Sequence, residues 1–130
     1  MRIDAHVHGS VNDFDSDPDA YVAACRARGV EAVVLIEDLA TCMDAVATFG
    51  DFIIPVARIP MDTATPADVA QCLDAGCKGI KFIRPAAPYA DPRYWPLYAQ
   101  IEAADSVAVF HTGYLAFHGR EDPPVQMTHM

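Results

Sequence analysis

The feature that most constrains the fold is a strict alternation of short apolar runs with amphipathic segments from residue 2 to residue 111. The apolar runs predict five strands, at about 2–8, 31–37, 52–59, 78–84 and 107–111. The second run is apolar at almost every position, which is typical of a parallel strand covered on both faces. Strands that alternate with helices in this way fold as parallel βαβ units with right-handed crossovers.

Capping signals predict where four helices begin. Asp17-Pro18 supplies an N-cap and a first-turn proline for the first helix. Thr41-Cys42-Met43-Asp44 resembles a capping box and predicts that a second helix starts there. Thr65-Pro66-Ala67-Asp68 caps a third helix in the same manner. The fourth helix carries Trp95 and Tyr98, which we expect to pack between that helix and the sheet.

Two architectures accept this pattern of five strands and four helices. One is an open, doubly wound sheet, and the other is part of a (β/α)8 barrel of the TIM type. A complete barrel takes about 250 residues, so five strands in this chain amount to a little over half of one. Residues 1–130 are therefore predicted to form a single α/β domain, and the strand pattern leaves both architectures open.

Composition restricts the partners that the chain can have. Nine Lys and Arg residues stand against eighteen Asp and Glu residues, and the net charge of −9 repels phosphate backbones, so we expect no nucleic-acid partner. No apolar stretch is long enough to cross a bilayer, and we expect no membrane partner. Four cysteines lie without CxxC spacing, at Cys25, Cys42, Cys72 and Cys77. They are predicted to be free thiols of a cytoplasmic protein.

Histidines end the first and fifth strands. In His6-Val7-His8-Gly9 the two imidazoles fall on one face by strand alternation, where they could chelate one metal ion. His111 ends the last apolar run, and alternation from Val107 turns it toward the same space. Three neutral imidazoles suit Zn²⁺, which commonly keeps three protein ligands in catalytic sites. The alternative is that these are ordinary surface or core histidines.

Other polar residues lie at the carboxyl ends of the strands, where both architectures place their sites. Glu37 and Asp38 follow the second strand, Arg58 follows the third, and Lys81 and Arg84 lie on the fourth. We expect Lys81, Arg58 and Arg84 to contribute to binding a small-molecule substrate, with a purely structural role for Lys81 as the alternative.

Four segments of this chain resemble the amidohydrolase superfamily, in the branch related to aminocarboxymuconate-semialdehyde decarboxylase. They are Ile3-Asp4-Ala5-His6-Val7-His8-Gly9, Gly76-Cys77-Lys78-Gly79-Ile80-Lys81-Phe82, Tyr94-Trp95-Pro96-Leu97-Tyr98 and Val109-Phe110-His111-Thr112-Gly113. The resemblance implies a distorted (β/α)8 barrel with a divalent metal, usually zinc. It also implies that His6, His8 and His111 are three of the metal ligands, and it adds a carbamylated, metal-bridging form as a further role for Lys81.

The resemblance implies a metal-dependent hydrolase that acts on a small carboxylic acid, lactone or amide. A non-oxidative decarboxylase of the same branch and a non-catalytic, metal-binding half-barrel are the alternatives, whereas the negative charge disfavours a phosphoesterase. The family's catalytic His and Asp follow later strands, which we expect beyond Met130. The chain is therefore interpreted as the N-terminal portion of a barrel, inactive alone, that forms a homo-oligomer or pairs with a C-terminal half.

Overall fold

A computed structural model describes residues 1–9 and 14–112 of the chain. The described part contains five β-strands, four α-helices and two short 3-10 turns. The strands are β1 (Ile3–Val7), β2 (Ala32–Glu37), β3 (Ile53–Arg58), β4 (Gly79–Phe82) and β5 (Val107–Phe110). The helices are α1 (Pro18–Ala27), α2 (Leu39–Phe49), α3 (Pro66–Asp74) and α4 (Trp95–Ala103), and the turns span Gly50–Phe52 and Pro92–Tyr94.

The strands form one parallel sheet in the order β1-β2-β3-β4-β5, which is also their order along the chain. A doubly wound sheet reverses its strand order at a switch point, and the described strands show no such reversal. Right-handed crossovers between sequential strands place successive helices on the same face of the sheet. The architecture is therefore an α/β half-barrel, and the expectation of an α/β fold with five strands and four helices is confirmed.

The apolar core lies between the helices and one face of this sheet. Alternate strand residues point toward the helices and join their buried side chains in two clusters. The sheet contributes Val7, Val33, Leu35, Ile53, Ala57, Ile80 and Phe82, and the helices contribute Val22, Cys42, Ala45, Val69, Cys72, Leu97 and Ile101. Every α-helix thus buries part of one face against the sheet, which is the expected arrangement for a layered α/β domain.

The opposite face of the sheet carries two rows of residues in register. Ile36, Val56, Gly79 and Val107 form the first row. Closer to the carboxyl ends, Arg58 of β3 pairs with Lys81 of β4, which pairs with Val109 of β5. Since residues paired in a parallel sheet share a face, two cations lie side by side on the face turned away from the helices.

Gly79 is the small member of the first row for a steric reason. A Cβ atom at this position would lie 2.8 Å from the backbone carbonyl oxygen of Val107 on the neighbouring strand. Backbone of a paired strand cannot move aside as a flexible side chain can. Glycine therefore allows β4 and β5 to approach closely next to the Lys81 row.

Two helix starts agree with the sequence analysis. Asp17 caps α1, where its side chain accepts a hydrogen bond from the backbone N–H of Ala20 at 2.9 Å. Thr65 and Asp68 form a reciprocal capping box at α3, with the Asp68 carboxylate accepting from the Thr65 N–H at 2.7 Å. Both satisfy backbone donors that a helix N-terminus leaves unpaired.

The predicted start of α2 at Thr41 is wrong, because the helix begins at Leu39 and is capped by Asp38. The Asp38 carboxylate accepts hydrogen bonds from the Thr41 N–H at 3.0 Å and from the Thr41 hydroxyl at 2.9 Å. Asp and Thr are both good N-caps. The earlier residue of the pair is the cap because β2 ends at Glu37 and the chain turns at once.

Trp95 also differs from its prediction. Its side chain is not in the core: the residue is 59% exposed, and its indole N–H donates to the carbonyl of Ala90. Leu97 and Ile101, four residues apart on the same helix, form the buried stripe instead. Tyr98 is half-buried and donates its hydroxyl to the Tyr89 carbonyl at 2.7 Å.

The cysteines are free thiols as expected: Cys42, Cys72 and Cys77 are buried, and Cys25 is half-buried.

The helices were also compared with the length of a membrane span. Across residues 1–9 and 14–112, every helix is too short or too polar to cross a lipid bilayer.

The Asp38 cap yields a pH-dependent prediction. Hydrogen bonds from Thr41 hold the pKa of the Asp38 carboxyl below its usual value. The ionised cap therefore stabilises the fold above the ordinary Asp pKa, and that contribution is lost as pH falls through the lowered folded-state value. We expect Asp38→Ala to lower the free energy of unfolding by about 1 kcal/mol at pH 7, as measured by urea denaturation.

Asp38→Asn is the matched control, since Asn caps helices about as well as Asp but does not titrate. Its stability at pH 7 should stay near that of the wild type, and it should lack the part of the acid destabilisation that Asp38 causes. Equal stability of Asp38→Ala and wild type at pH 7 would contradict the cap.

Candidate functional site

The two histidines of the first strand converge at its carboxyl end. The Nε2 atoms of His6 and His8 lie 3.0 Å apart, with the ring planes inclined by 70°. In the metal-free chain one of these nitrogens donates a hydrogen bond to the other, and loss of that proton leaves two Nε2 lone pairs directed at one point. The structure therefore brings together the first two metal ligands that the sequence predicts.

A backbone carbonyl sets the tautomer of His8. The Nδ1 atom of His8 lies 3.0 Å from the carbonyl oxygen of Ile36 in β2. A carbonyl oxygen only accepts hydrogen bonds, so Nδ1 carries the proton and the Nε2 atom of the neutral ring has a lone pair. Metal-binding histidines are commonly oriented by this kind of bond from the second ring nitrogen.

An irregularity in β1 sets the position of His6, and the sequence analysis missed it. Between Asp4 and Val7 the strand advances three residues while its partner β2 advances only two, from Val33 to Leu35. The Asp4 carboxylate accepts a hydrogen bond from the His6 N–H at 3.2 Å within this segment. Such bulges redirect side chains and are frequent next to functional sites.

Glu37 is a buried carboxylate that joins three parts of the site. Its Oε1 atom accepts from the Gly9 N–H at 2.9 Å and lies 3.9 Å from His8 Nδ1. Its Oε2 atom accepts from Arg58 Nη2 at 3.2 Å. The sequence placed Glu37 at a strand end but gave no sign of this role, because its partners come from the ends of two other strands.

Hydrogen bonds fix the backbone of His111 at the end of β5. Its N–H donates to the Phe82 carbonyl at 3.1 Å, which extends the pairing with β4. Its carbonyl accepts from the Tyr89 hydroxyl at 2.9 Å. The backbone of His111 is therefore held in place by the end of β4 and by the loop between β4 and α4.

Burial and neighbouring charges lower the pKa of His6. Partial burial of the ring lowers the pKa of His6, the Lys81 cation lowers it next, and His8 and His111 add smaller effects, whereas Asp4 opposes them. A lowered pKa keeps the imidazole neutral at neutral pH, and only the neutral ring can bind a metal.

The donor geometry fits two of the predicted metal ligands. Zn–N bonds of about 2.0–2.1 Å in a tetrahedral site place two nitrogens about 3.3 Å apart, close to the 3.0 Å between the His6 and His8 Nε2 atoms. Over residues 1–9 and 14–112, however, no group of three or more His, Cys, Asp or Glu side chains is arranged to hold a metal ion. The structure therefore pairs His6 with His8 and does not add His111 as a third ligand.

The predicted substrate-binding cations occupy three different environments. Lys81 is 2% exposed on the inner face of the sheet, which is the face turned away from the helices, and burial lowers its pKa. Arg58 is partly exposed and bound to Glu37. Arg84 does not lie on the fourth strand as expected, because β4 ends at Phe82. It is an exposed residue in the following loop, with a φ of +51°.

Comparisons of this chain with protein-family models, with curated proteins and with solved structures find no match.

The tautomer of His8 is directly measurable. Long-range ¹H–¹⁵N NMR spectra of the metal-free chain at pH 7.5 should show His8 protonated on Nδ1 and unprotonated on Nε2, because Nδ1 donates to the Ile36 carbonyl. In the same spectra His6 should be protonated on Nε2, since it must donate to His8. An Nε2-protonated His8 would contradict the hydrogen bond that orients the ring.

Proposed function

We propose that the carboxyl end of the half-barrel binds a divalent metal ion, most favourably zinc, through His6 and His8, with His111 as the third ligand. The observation that carries this proposal is the convergence of two Nε2 atoms at 3.0 Å, one of them on a ring oriented by a backbone carbonyl. His111 is included because the resemblance to amidohydrolases assigns it as a ligand and because its charge acts on His6.

The chain's own residues prepare this site in separate ways. The Ile36 carbonyl holds the His8 ring so that its Nε2 lone pair is available. The Glu37 carboxylate fixes the backbone of Gly9 just after the ligand pair and neutralises Arg58. When bound, zinc supplies Lewis acidity and lowers the pKa of water toward neutrality.

The activity that we propose is hydrolysis of a small organic acid, lactone or amide by a complete barrel to which these strands contribute. Support comes from the grouping of His6, His8, Arg58 and Lys81 at the carboxyl ends of parallel strands, where barrels of the TIM type carry their active sites. In this proposal Lys81, on the inner face of the sheet, attracts a negatively charged substrate, and Arg58 positions the carboxylate of that substrate. The likeness of four segments to amidohydrolases is the reason for proposing this class of enzyme, and a non-oxidative decarboxylase of the same branch is the alternative.

The four free thiols suit a reducing compartment, and we propose the cytoplasm as the place of this activity.

Zinc titration of the metal-free chain by calorimetry tests the site. We expect one zinc ion per chain. His6→Asn, His8→Asn and His111→Asn should each weaken its binding by more than the ~10–100-fold that loss of a ligand's hydrogen-bond partner typically causes. Glu37→Gln should weaken zinc binding by ~10–100-fold, because this change affects only the orientation of the ligands.

Cys25→Ser is the matched control, since Cys25 is the most accessible of the four thiols and the best competing zinc ligand. It should bind zinc with unchanged affinity. The proposed site would be overturned if zinc affinity were lost in Cys25→Ser and unchanged in the three histidine variants.

A second proposal concerns assembly. Within the part of the chain that the structure describes, β1 and β5 each pair with another strand on one side only. Val107, on the inner face of β5, is 57% exposed. Unpaired strand edges are templates for pairing with further strands. We propose that this half-barrel associates with a second copy of the chain or with a complementary half-barrel.

Sedimentation velocity at micromolar concentration should therefore show a dimer or a larger species. Val107→Lys, which adds a charge to the exposed edge strand, should shift the equilibrium toward the monomer. A folded wild-type monomer throughout this concentration range would rule out self-association.

A further inference from the structure

Lys81 has an amine for which the structure shows no partner. The residue is 2% exposed and lies on the inner face of the sheet, between Arg58 of β3 and Val109 of β5 in the register. Among residues 1–9 and 14–112, its Nζ atom has neither a hydrogen bond nor an ion pair. Buried charges in proteins are normally paired or bound to a metal ion. Lys81 therefore lacks the counterion that a permanently charged lysine needs in such a position.

The buried carboxylate of the site is already engaged by other donors. The Oε1 atom of Glu37 accepts from the Gly9 N–H, and its Oε2 atom accepts from Arg58 Nη2 at 3.2 Å. Burial lowers the pKa of Lys81, and no carboxylate in the described part of the chain opposes this effect. The cations and titratable groups around Lys81 are Arg58, its neighbour in register, and His6, on which its charge acts. This environment favours the neutral amine over the ammonium ion.

The amine nitrogen nevertheless keeps some contact with solvent. In the part of the chain that the structure describes, every completely buried side-chain nitrogen or oxygen has a hydrogen-bond partner. Since the Nζ atom of Lys81 has none, the small exposed fraction of this residue includes Nζ. The helices pack on the opposite face of the sheet, so a reagent reaches Nζ from the inner face.

The surroundings of the amine suit a nucleophile. The row of residues just before it on the inner face contains Ile36, Val56 and Gly79, of which Ile36 is 1% and Val56 4% exposed. An apolar environment without a counterion is one of the ways in which proteins activate a lysine, because the neutral amine has the lone pair that attacks carbonyl carbons.

We propose that Lys81 forms a covalent imine with a small aldehyde. The Nζ lone pair attacks the carbonyl carbon, and one N–H proton passes to the carbonyl oxygen. The resulting carbinolamine then loses its hydroxyl group together with the second N–H proton as water, which leaves a C=N bond to Nζ. No oxidation or reduction occurs and no co-reactant is consumed. The narrow exposure of the amine restricts the partner to a small molecule.

This inference goes beyond the proposed function, in which Lys81 acts only through its charge. Protonation of the imine nitrogen restores a positive charge at the same position, so the two roles are compatible. Imine formation needs no metal ion, and the test is therefore carried out in the presence of a chelator. Its outcome is independent of whether the histidines bind zinc.

The experiment treats the 130-residue chain with propanal at pH 7, traps imines with sodium cyanoborohydride and locates the label by peptide mass spectrometry. The chain has three primary amines, which are the α-amine of Met1, Lys78 and Lys81. Lys78 is exposed and is the matched control. We expect labelling of Lys81 to be at least about tenfold faster than labelling of Lys78, because burial disfavours the ammonium form, which cannot attack a carbonyl.

The dependence on propanal concentration separates a binding site from general reactivity. The rate at Lys81 should saturate, whereas the rate at Lys78 should rise in proportion to the concentration. Lys81→Arg should lose the saturable labelling and leave the rate at Lys78 unchanged, and Lys78→Arg should leave the rate at Lys81 unchanged.

Peptide mapping of the wild-type chain decides the proposal even if Lys81→Arg disturbs the fold. Equal labelling rates at Lys78 and Lys81, or a rate at Lys81 that rises linearly with propanal, would overturn it. A Lys81 that stays unlabelled, as a permanently charged or carbamylated lysine would, also contradicts the proposal.

Discussion

Each strand from β2 to β5 pairs in parallel with the strand that precedes it along the chain, and the position of every polar side chain in the site depends on this pairing. Because the order is sequential and all strands run the same way, the residues that follow β1 to β5 lie along one edge. The pairing also sets the inner face, where Arg58 and Lys81 are neighbours in register. Gly79 is part of the same constraint, since only a residue without a side chain fits beside the Val107 carbonyl.

The site at this edge depends on contacts between strand ends more than on any single strand. His8 is oriented by a carbonyl of β2, and the backbone just after it is held by Glu37. Glu37 in turn binds Arg58 of β3. A continuous set of hydrogen bonds therefore links the backbone just after the histidine pair to Arg58.

Local chemistry accounts for what could be predicted from the sequence. The apolar run of β2 and the cap at Asp17 depend on neighbours in the chain, as does the capping box of Thr65 and Asp68. Features that depend on partners from other strands could not be read in this way. The extra residue in β1 is visible only against the register of β2. The helix cap at Asp38 and the exposure of Trp95 follow from where the preceding strand and turn end. The distance of His111 from the histidine pair depends on how far β5 lies from β1 in the sheet, which alternation along β5 does not specify.

The central claim is that imidazoles at the carboxyl end of this sheet bind zinc, and X-ray absorption spectroscopy of the chain loaded with one equivalent of zinc tests it most directly. The account predicts a first shell of nitrogen and oxygen atoms at about 2.0–2.1 Å, with outer-shell scattering from histidine rings that decreases in His6→Asn. Sulfur scattering at about 2.3 Å would show that cysteines bind the metal instead. A spectrum unchanged in His6→Asn would likewise contradict the claim.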